Sequence, residues 1–108
     1  MIARLWHGAT KPEDADTYEA MLKPELLPGV GKLKGYEGSY LLRRETGDEI
    51  EFITLLLWDS IESLKAITGP DYEVSMIPEV RRKYLARHDA IAAHYEVVSI
   101  HQPETPPA

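Results

Sequence analysis

Runs of apolar residues, alternating with polar ones or nearly continuous, predict four strands. They cover Ile2 to His7, Tyr36 to Arg44, Glu49 to Trp58 and Ala90 to Ile100. The second and third are separated by Thr46-Gly47-Asp48, in which glycine can take a positive φ. This spacing predicts a β-hairpin between strands two and three.

Helical spacing predicts two helices between the strands. The first begins at a capping box formed by Thr10 and Glu13 and ends near Lys23, because Pro24 cannot continue it. The second begins at the N-cap residues Asp59 and Ser60 and ends at Gly69-Pro70. Its apolar side is formed by Ile61, Leu64 and Ile67.

A further helical segment is indicated by Tyr72, Met76, Val80 and Tyr84, which are spaced by four residues. Pro78 breaks or kinks it. Between the first helix and the second strand, residues 24 to 35 contain two prolines and three glycines among apolar side chains. That stretch is interpreted as an irregular connection.

The order of elements is β-α-β-β-α-β, which is typical of the ferredoxin-like α+β fold. It predicts a four-stranded antiparallel sheet with helices on one face. Strands one and three are central, and strand four lies beside strand one. We expect one domain over residues 1–100 and a proline-rich tail over residues 101–108.

The third strand is apolar on both faces. Ile50, Phe52, Leu56 and Trp58 share one face, and Ile53, Leu55 and Leu57 share the other. Helices can cover only one face of such a sheet, and wetting the other would cost several kcal/mol at about 25 cal/mol per Å². A second copy of the sheet is the simplest cover, so the sequence predicts a homodimer.

Composition narrows the possible partners. The 108 residues carry a formal net charge of −6 and no cysteine. The negative charge argues against a nucleic-acid partner, because phosphate contacts need clustered Lys and Arg and the one basic run, Arg81-Arg82-Lys83, is offset by nearby carboxylates. The absence of cysteine removes disulfides and thiolate sites. No apolar run approaches a membrane span and the N-terminal residues lack a signal-peptide pattern, so a cytoplasmic location without a membrane partner is expected.

Three segments resemble one known family. Strand one ends in Trp6-His7-Gly8, strand three passes into a helix through Leu56-Leu57-Trp58-Asp59-Ser60, and the last strand contains His94-Tyr95-Glu96-Val97. With the element order, they make the chain similar to the antibiotic biosynthesis monooxygenase-like family of the dimeric α/β-barrel superfamily. The resemblance covers residues 1 to 100.

That resemblance implies a substrate cavity between the sheet and the helices of one subunit. Several family members oxidise aromatic quinols with dioxygen and use no metal or flavin, and others degrade haem. The haem-degrading branch carries a histidine ligand on the helical stretch after the strand-three tryptophan. The corresponding residues 67 to 78 contain no histidine and no tryptophan. We therefore expect no cofactor.

Aromatic and sulfur-containing residues are candidates for the cavity wall. They are Trp6, Trp58, Tyr72 and Met76, with Tyr84 on the same predicted helical stripe. Each has an alternative role as an ordinary core residue, since large aromatic side chains and Met stabilise cores wherever they are buried.

Two histidines are the candidate catalytic groups. Pairing of strands one and four can bring His7 and His94 close together, with Glu96 on the strand face of His94. They form either a hydrogen-bonded pair that joins two strands or a general base that accepts a phenolic proton. A His/His/carboxylate metal site is a third possibility, but no i, i+3 or i, i+4 spacing supports it, so no metal is predicted.

The resemblance thus implies cofactor-independent oxygenation of a small aromatic, quinol-type substrate. The alternative is a non-catalytic small-ligand-binding or stress-related dimer on the same scaffold.

Overall fold

A computed structural model describes residues 1–24, 33–74, 77–101 and 103. The predicted connection over residues 24 to 35 falls mostly outside these ranges, as do the predicted pocket residue Met76 and most of the predicted tail.

Five strands form one antiparallel sheet. They are β1 (Ile2–Thr10), β2 (Tyr36–Thr46), β3 (Glu49–Trp58), β4 (Leu85–His88) and β5 (Ala93–Glu96). The order across the sheet is β2-β3-β1-β4, and β5 pairs with the same edge of β1 as β4 does. β4 pairs with the end of β1 near Thr10, and β5 pairs with the start of β1 near Ile2. The ferredoxin-like α+β fold is confirmed, with β1 and β3 in the centre as predicted.

The described helices are α1 (Ala15–Pro24), α2 (Ile61–Thr68) and the single turn α3 (Glu79–Arg82). The start of α2 is as predicted, because the hydroxyl of Ser60 accepts a hydrogen bond from the Ser63 amide at 3.2 Å. Its end is also as predicted, at Gly69 with φ 86°. No helix in the described ranges is long and apolar enough to cross a membrane.

The predicted capping box at the first helix is wrong. Thr10 is the last residue of β1, and its hydroxyl donates to the carbonyl of Lys11 rather than capping a helix. A short 3-10 turn over Pro12–Asp14 precedes α1 instead. Strand pairing with β3 continues to Thr10, and those ladder hydrogen bonds outweigh the local capping signal.

The long helical stripe is also corrected. Tyr72 lies in a turn and Val74 forms an isolated bridge with Ile91. Among the described residues of this stretch, helix covers Glu79–Arg82 alone. The single predicted last strand is replaced by β4 and β5, with residues 89–92 between them. β1 is long enough to pair with both short strands, which the spacing within residues 72–100 does not reveal.

The sheet has one covered and one uncovered face. Along β3, every second residue from Ile50 to Trp58 is buried under the helices, and the intervening ones are half-buried. Two apolar clusters fill the covered side. One contains Ala15, Tyr18, Leu22, Ile50 and Phe52, and the other contains Leu56, Trp58 and Leu64. The alternation predicted for strand three is therefore observed, with both of its apolar faces.

Candidate active site

The two candidate histidines lie on opposite faces of the sheet. His94 pairs with Arg4, and His7 pairs with Ile53. Because side chains alternate along a strand, His94 and Arg4 share the helix-covered face, and His7 points to the uncovered face. The expected proximity of His7 and His94 is therefore not found.

His94 is enclosed by an aromatic neighbour. The ring of Tyr72 meets the His94 ring edge-on, with the centroids 4.9 Å apart and the planes at 77°. The ammonium of Lys65 on α2 lies over the Tyr72 ring, 5.2 Å from its centre. His94 Nε2 is buried and finds no hydrogen-bond partner in the described part of the chain.

The surroundings of His94 keep its ring neutral. Burial is the main cause that lowers the pKa of His94 from its ordinary 6.5, and the positive charge of Arg4 lowers it further. The Glu73 carboxylate and a hydrogen bond to the Ala92 backbone oppose this shift of the pKa. Nε2 has no partner among the described residues, so a neutral ring with its proton on Nδ1 leaves the Nε2 lone pair available. In that tautomer Nε2 can accept a proton at neutral pH.

Arg4 is a half-buried cation on the same face. Burial lowers the pKa of its guanidinium, and Nε is buried without a hydrogen-bond partner among the described residues. The described Arg43, Arg44 and Arg87 each hold a carboxylate within 3.0 Å, whereas no described carboxylate lies within ion-pair distance of Arg4.

Trp58 adds a second donor. Its side chain is 3% exposed, packs with Leu56 and Leu64, and meets the Tyr36 ring edge-on at 5.8 Å between centroids. Its indole Nε1 has no hydrogen-bond partner in the described ranges. The residue ends β3 immediately before the Ser60 cap, so the strand-to-helix junction holds it in place.

Trp6 lies in the middle of β1, and a hydrogen bond to the backbone fixes its indole. Its Nε1 donates to the carbonyl of Asp89 at 2.9 Å, and its ring lies over Gly8, where any Cβ would come within 2.7 Å of it. Gly8 is thus required by the close approach of the indole. His88 stacks on the same ring, with the centroids 6.1 Å apart.

His7 is joined to Asp89 rather than to His94. Asp89 Oδ2 lies 3.0 Å from both the amide nitrogen and Nδ1 of His7, and the Asp89 amide donates to the His7 carbonyl. Both side chains are 43% exposed. His7 also borders a surface hollow with Leu42, Glu51 and Ile53 on the uncovered face. The His7–Asp89 pair joins residues 89–92 to β1. The predicted pair that joins two strands had His94, not Asp89, as the partner of His7.

The possible metal site from His7, His94 and Glu96 cannot assemble across the sheet. Glu96 shares the face of His94, and His7 lies on the other face. Within the described ranges no three His, Asp or Glu side chains converge on a point that could hold a metal ion.

Sequence reasoning missed two residues with a part in these sites. Arg4 lies between Ile2 and Trp6 on the covered face of β1. The sequence signal that could have identified it is a cation at an inward-facing position of a central strand. Asp89 had no signal, because its importance depends on the pairing of β1 with β4 and β5.

Comparisons with known proteins agree with this fold. The chain superimposes on a candidate antibiotic biosynthesis monooxygenase from Bacillus cereus with a TM-score of 0.67, 15% identity and coverage of 97% of this chain and 98% of the other. It is similar to the haem degrader MhuD of Mycobacterium tuberculosis, solved with two haems in its active site. That comparison has a TM-score of 0.64, 19% identity and coverage of 94% of this chain and 100% of the other.

A candidate antibiotic biosynthesis monooxygenase from Chloroflexus aurantiacus J-10-fl gives a TM-score of 0.58, 21% identity and coverage of 94% and 96%. No protein-family model and no curated protein matches the sequence. The resemblance to antibiotic biosynthesis monooxygenase-like proteins is thus confirmed at the level of the fold.

Proposed function

We propose that the chain is a monooxygenase of the antibiotic biosynthesis type that oxidises a small phenolic or quinol-type aromatic with dioxygen. The observation that carries this proposal is the neutral, half-buried His94, whose buried Nε2 lies on the helix-covered face beside the Arg4 cation. A base and an adjacent positive charge are the two groups needed to make and hold a phenolate.

The proposed first step is a proton transfer. The phenolic hydroxyl of the substrate donates to His94 Nε2, which takes the proton and becomes imidazolium. The resulting phenolate is stabilised by the adjacent charge of Arg4, which acts more strongly than in bulk water because the guanidinium is half-buried. Tyr72 and Trp58 would form the aromatic walls that hold the ring.

The oxidation that follows balances without another reductant. A C–H carbon para to the phenolate supplies the electrons, so that a phenol with hydrogen at that position and O₂ become a quinone and water. One oxygen atom is bonded to carbon and the other leaves in water. In the resembling family this chemistry needs no metal or flavin, which is our expectation for this chain.

Oxygen uptake tests the proposal and separates the two candidate bases. With anthrone, which reacts as its 9-hydroxyanthracene tautomer and has a C–H carbon para to the hydroxyl, we expect the wild type to consume oxygen above the spontaneous rate at pH 7. His94→Gln should lose about 100-fold or more of this activity, the usual scale for removing a general base. His7→Gln is the matched control, because it changes the same residue type on the other face. If His7→Gln lost the oxygen uptake while His94→Gln kept it, the proposed site would be rejected.

Two alternatives make different predictions in the same experiments. A non-catalytic ligand-binding dimer would consume no oxygen with any substrate, while still binding aromatic ligands. A haem degrader would take up haem with a Soret shift, as the similarity to MhuD would suggest. We expect no such uptake, because residues 67–78 lack a histidine and Tyr72 covers His94 edge-on.

The proposed assembly is a homodimer formed through the uncovered face of the sheet. Leu5, Leu55 and Leu57 lie on this face in the two central strands, and Tyr40 and Tyr95 flank them at 58% and 57% exposure. A two-fold axis brings this patch against itself, so that one apolar surface covers the other. The resemblance to dimeric α/β-barrel proteins supports the same arrangement.

A further inference from the structure

Three buried polar groups on the covered face lack a hydrogen-bond partner among the described residues: Arg4 Nε, Trp58 Nε1 and His94 Nε2. The strand register places the backbone positions of these residues on one face of neighbouring strands. Arg4 sits directly beside His94 on one side and beside Leu56 on the other, and Trp58 is two residues beyond Leu56. Direct neighbours have Cβ atoms about 5 Å apart and diagonal ones roughly 7–8 Å apart.

The donor and acceptor character of these groups is unbalanced. A guanidinium and an indole can only donate, and neither has any acceptor capacity. His94 supplies the single acceptor, through Nε2. A buried donor without a partner is costly, and a buried cation is more costly still unless an anion accompanies it. The set therefore matches a ligand that offers anionic acceptor oxygen to Arg4 and Trp58 and one hydroxyl hydrogen to His94.

We propose that the site is selective for an aromatic hydroxy acid, with a carboxylate received by Arg4 and Trp58 and an adjacent hydroxyl received by His94 Nε2. This inference rests on the proposed function for the role of His94 and adds the class of substrate. Because Arg4 and His94 are direct cross-strand neighbours, the two ligand groups must be neighbours as well. A carboxylate ortho to a phenolic hydroxyl meets this requirement.

No carboxylate of the described residues forms an ion pair with Arg4. Glu96 shares its face on β5 but makes no ion pair with Arg4 within the described ranges. Glu73 acts on His94, where its charge opposes the effect of Arg4. The Lys65 ammonium lies over Tyr72 and increases the positive character of this end of the site. Within the described ranges, the Arg4 guanidinium therefore has no paired carboxylate and can pair with an anionic ligand.

Binding of a matched pair of ligands tests the inference without any oxygen chemistry. By calorimetry at pH 7, 2-hydroxybenzoate should bind the wild type about tenfold or more tightly than its neutral isostere 2-hydroxybenzamide, as expected for a charge-assisted hydrogen bond to a partly buried group. Arg4→Gln should abolish this preference, and Arg4→Lys should keep part of it. Arg87→Gln is the control, because Arg87 is exposed and paired with Glu49.

A second measurement does not depend on the ligands. Titration of the His94 ring by nitrogen NMR should show a higher pKa in Arg4→Met than in the wild type, since Met keeps the aliphatic stem and removes the charge. Equal binding of the acid and the amide, no binding of the acid at about 10 mM, or an unchanged preference in Arg4→Gln would overturn the inference. Preference for the acid without oxygen uptake would reject the oxygenase and leave the hydroxy-acid site standing.

Discussion

Trp58 is the buried aromatic residue of the candidate site, and its indole combines favourable packing with an unpaired donor. It is 3% exposed and belongs to the cluster with Leu56 and Leu64. We expect Trp58→Ala to lower the free energy of unfolding by about 3–5 kcal/mol, from lost burial and a cavity. Trp58→Phe should cost much less, because it keeps most of the apolar area and removes the unpaired N–H.

Urea unfolding without ligand measures both Trp58 variants. Ile67→Ala is a suitable control, since that side chain is 49% exposed on α2. A Trp58→Ala protein that unfolds at the same urea concentration as the wild type would show that the indole is not part of the core.

His94 should make stability depend on pH. Its pKa in the folded protein lies below the ordinary 6.5, so the unfolded chain binds more protons between these two values. The contribution is complete above about pH 6.5 and is lost as the pH falls towards the folded pKa. We expect the decrease in unfolding free energy between pH 7.5 and 5 to be smaller in His94→Gln than in the wild type. His101→Gln, at an exposed position, should behave like the wild type.

At the scale of elements, the start of α2 positions Trp58 and depends on one side chain. The Ser60 hydroxyl accepts from the Ser63 amide, and few other groups can satisfy that first-turn donor. We expect Ser60→Ala to lower the unfolding free energy by about 1 kcal/mol. Ser99→Ala, in an exposed segment without regular structure, should have no measurable effect in the same denaturation experiment.

Elements whose local signals agree with their tertiary surroundings were predictable. The hairpin at Gly47, the Ser60 cap and the Gly69 end of α2 all appear where local chemistry places them. The predictions that are wrong concern Thr10, the helical segment from Tyr72 to Tyr84 and the single last strand. There, pairing with a distant strand or bridge satisfies the backbone better than the local capping or helical option.

At the scale of the whole molecule, the proposed homodimer would form through the uncovered face of the sheet. If the two sheets pack on each other, Tyr40 lies within the interface although it is 58% exposed in one chain. We expect wild type to sediment with the mass of two chains at micromolar concentration. Tyr40→Glu should shift this equilibrium towards the monomer, because a charge would be buried in an apolar contact.

Val80→Glu is the matched control for the dimer experiment. Val80 is 62% exposed on α3, away from the sheet, and should leave the mass unchanged. A wild type with the mass of a single chain would contradict the dimer, and a dimer unaffected by Tyr40→Glu would place the interface elsewhere.

The candidate site was only partly predictable from residue types. His94, Trp58 and Tyr72 were identified from their chemistry and their resemblance to known segments, and they share the covered side. His7 was identified by the same reasoning but lies on the other face, with Asp89 as its partner. Arg4 was not assigned a role, because neither periodicity nor motif shows which face of a strand the helices will cover.

The sequence by itself determined the fold class, the hairpin, the two main helices and the two-faced apolar strand, because those follow from spacing and local backbone chemistry. Tertiary structure decided which histidine stands beside Arg4, because the register between β1 and β5 is set by packing of the whole sheet. A shift of one residue in that register would move His94 to the other face. The chemistry of the site is therefore a consequence of strand pairing, which no local pattern specifies.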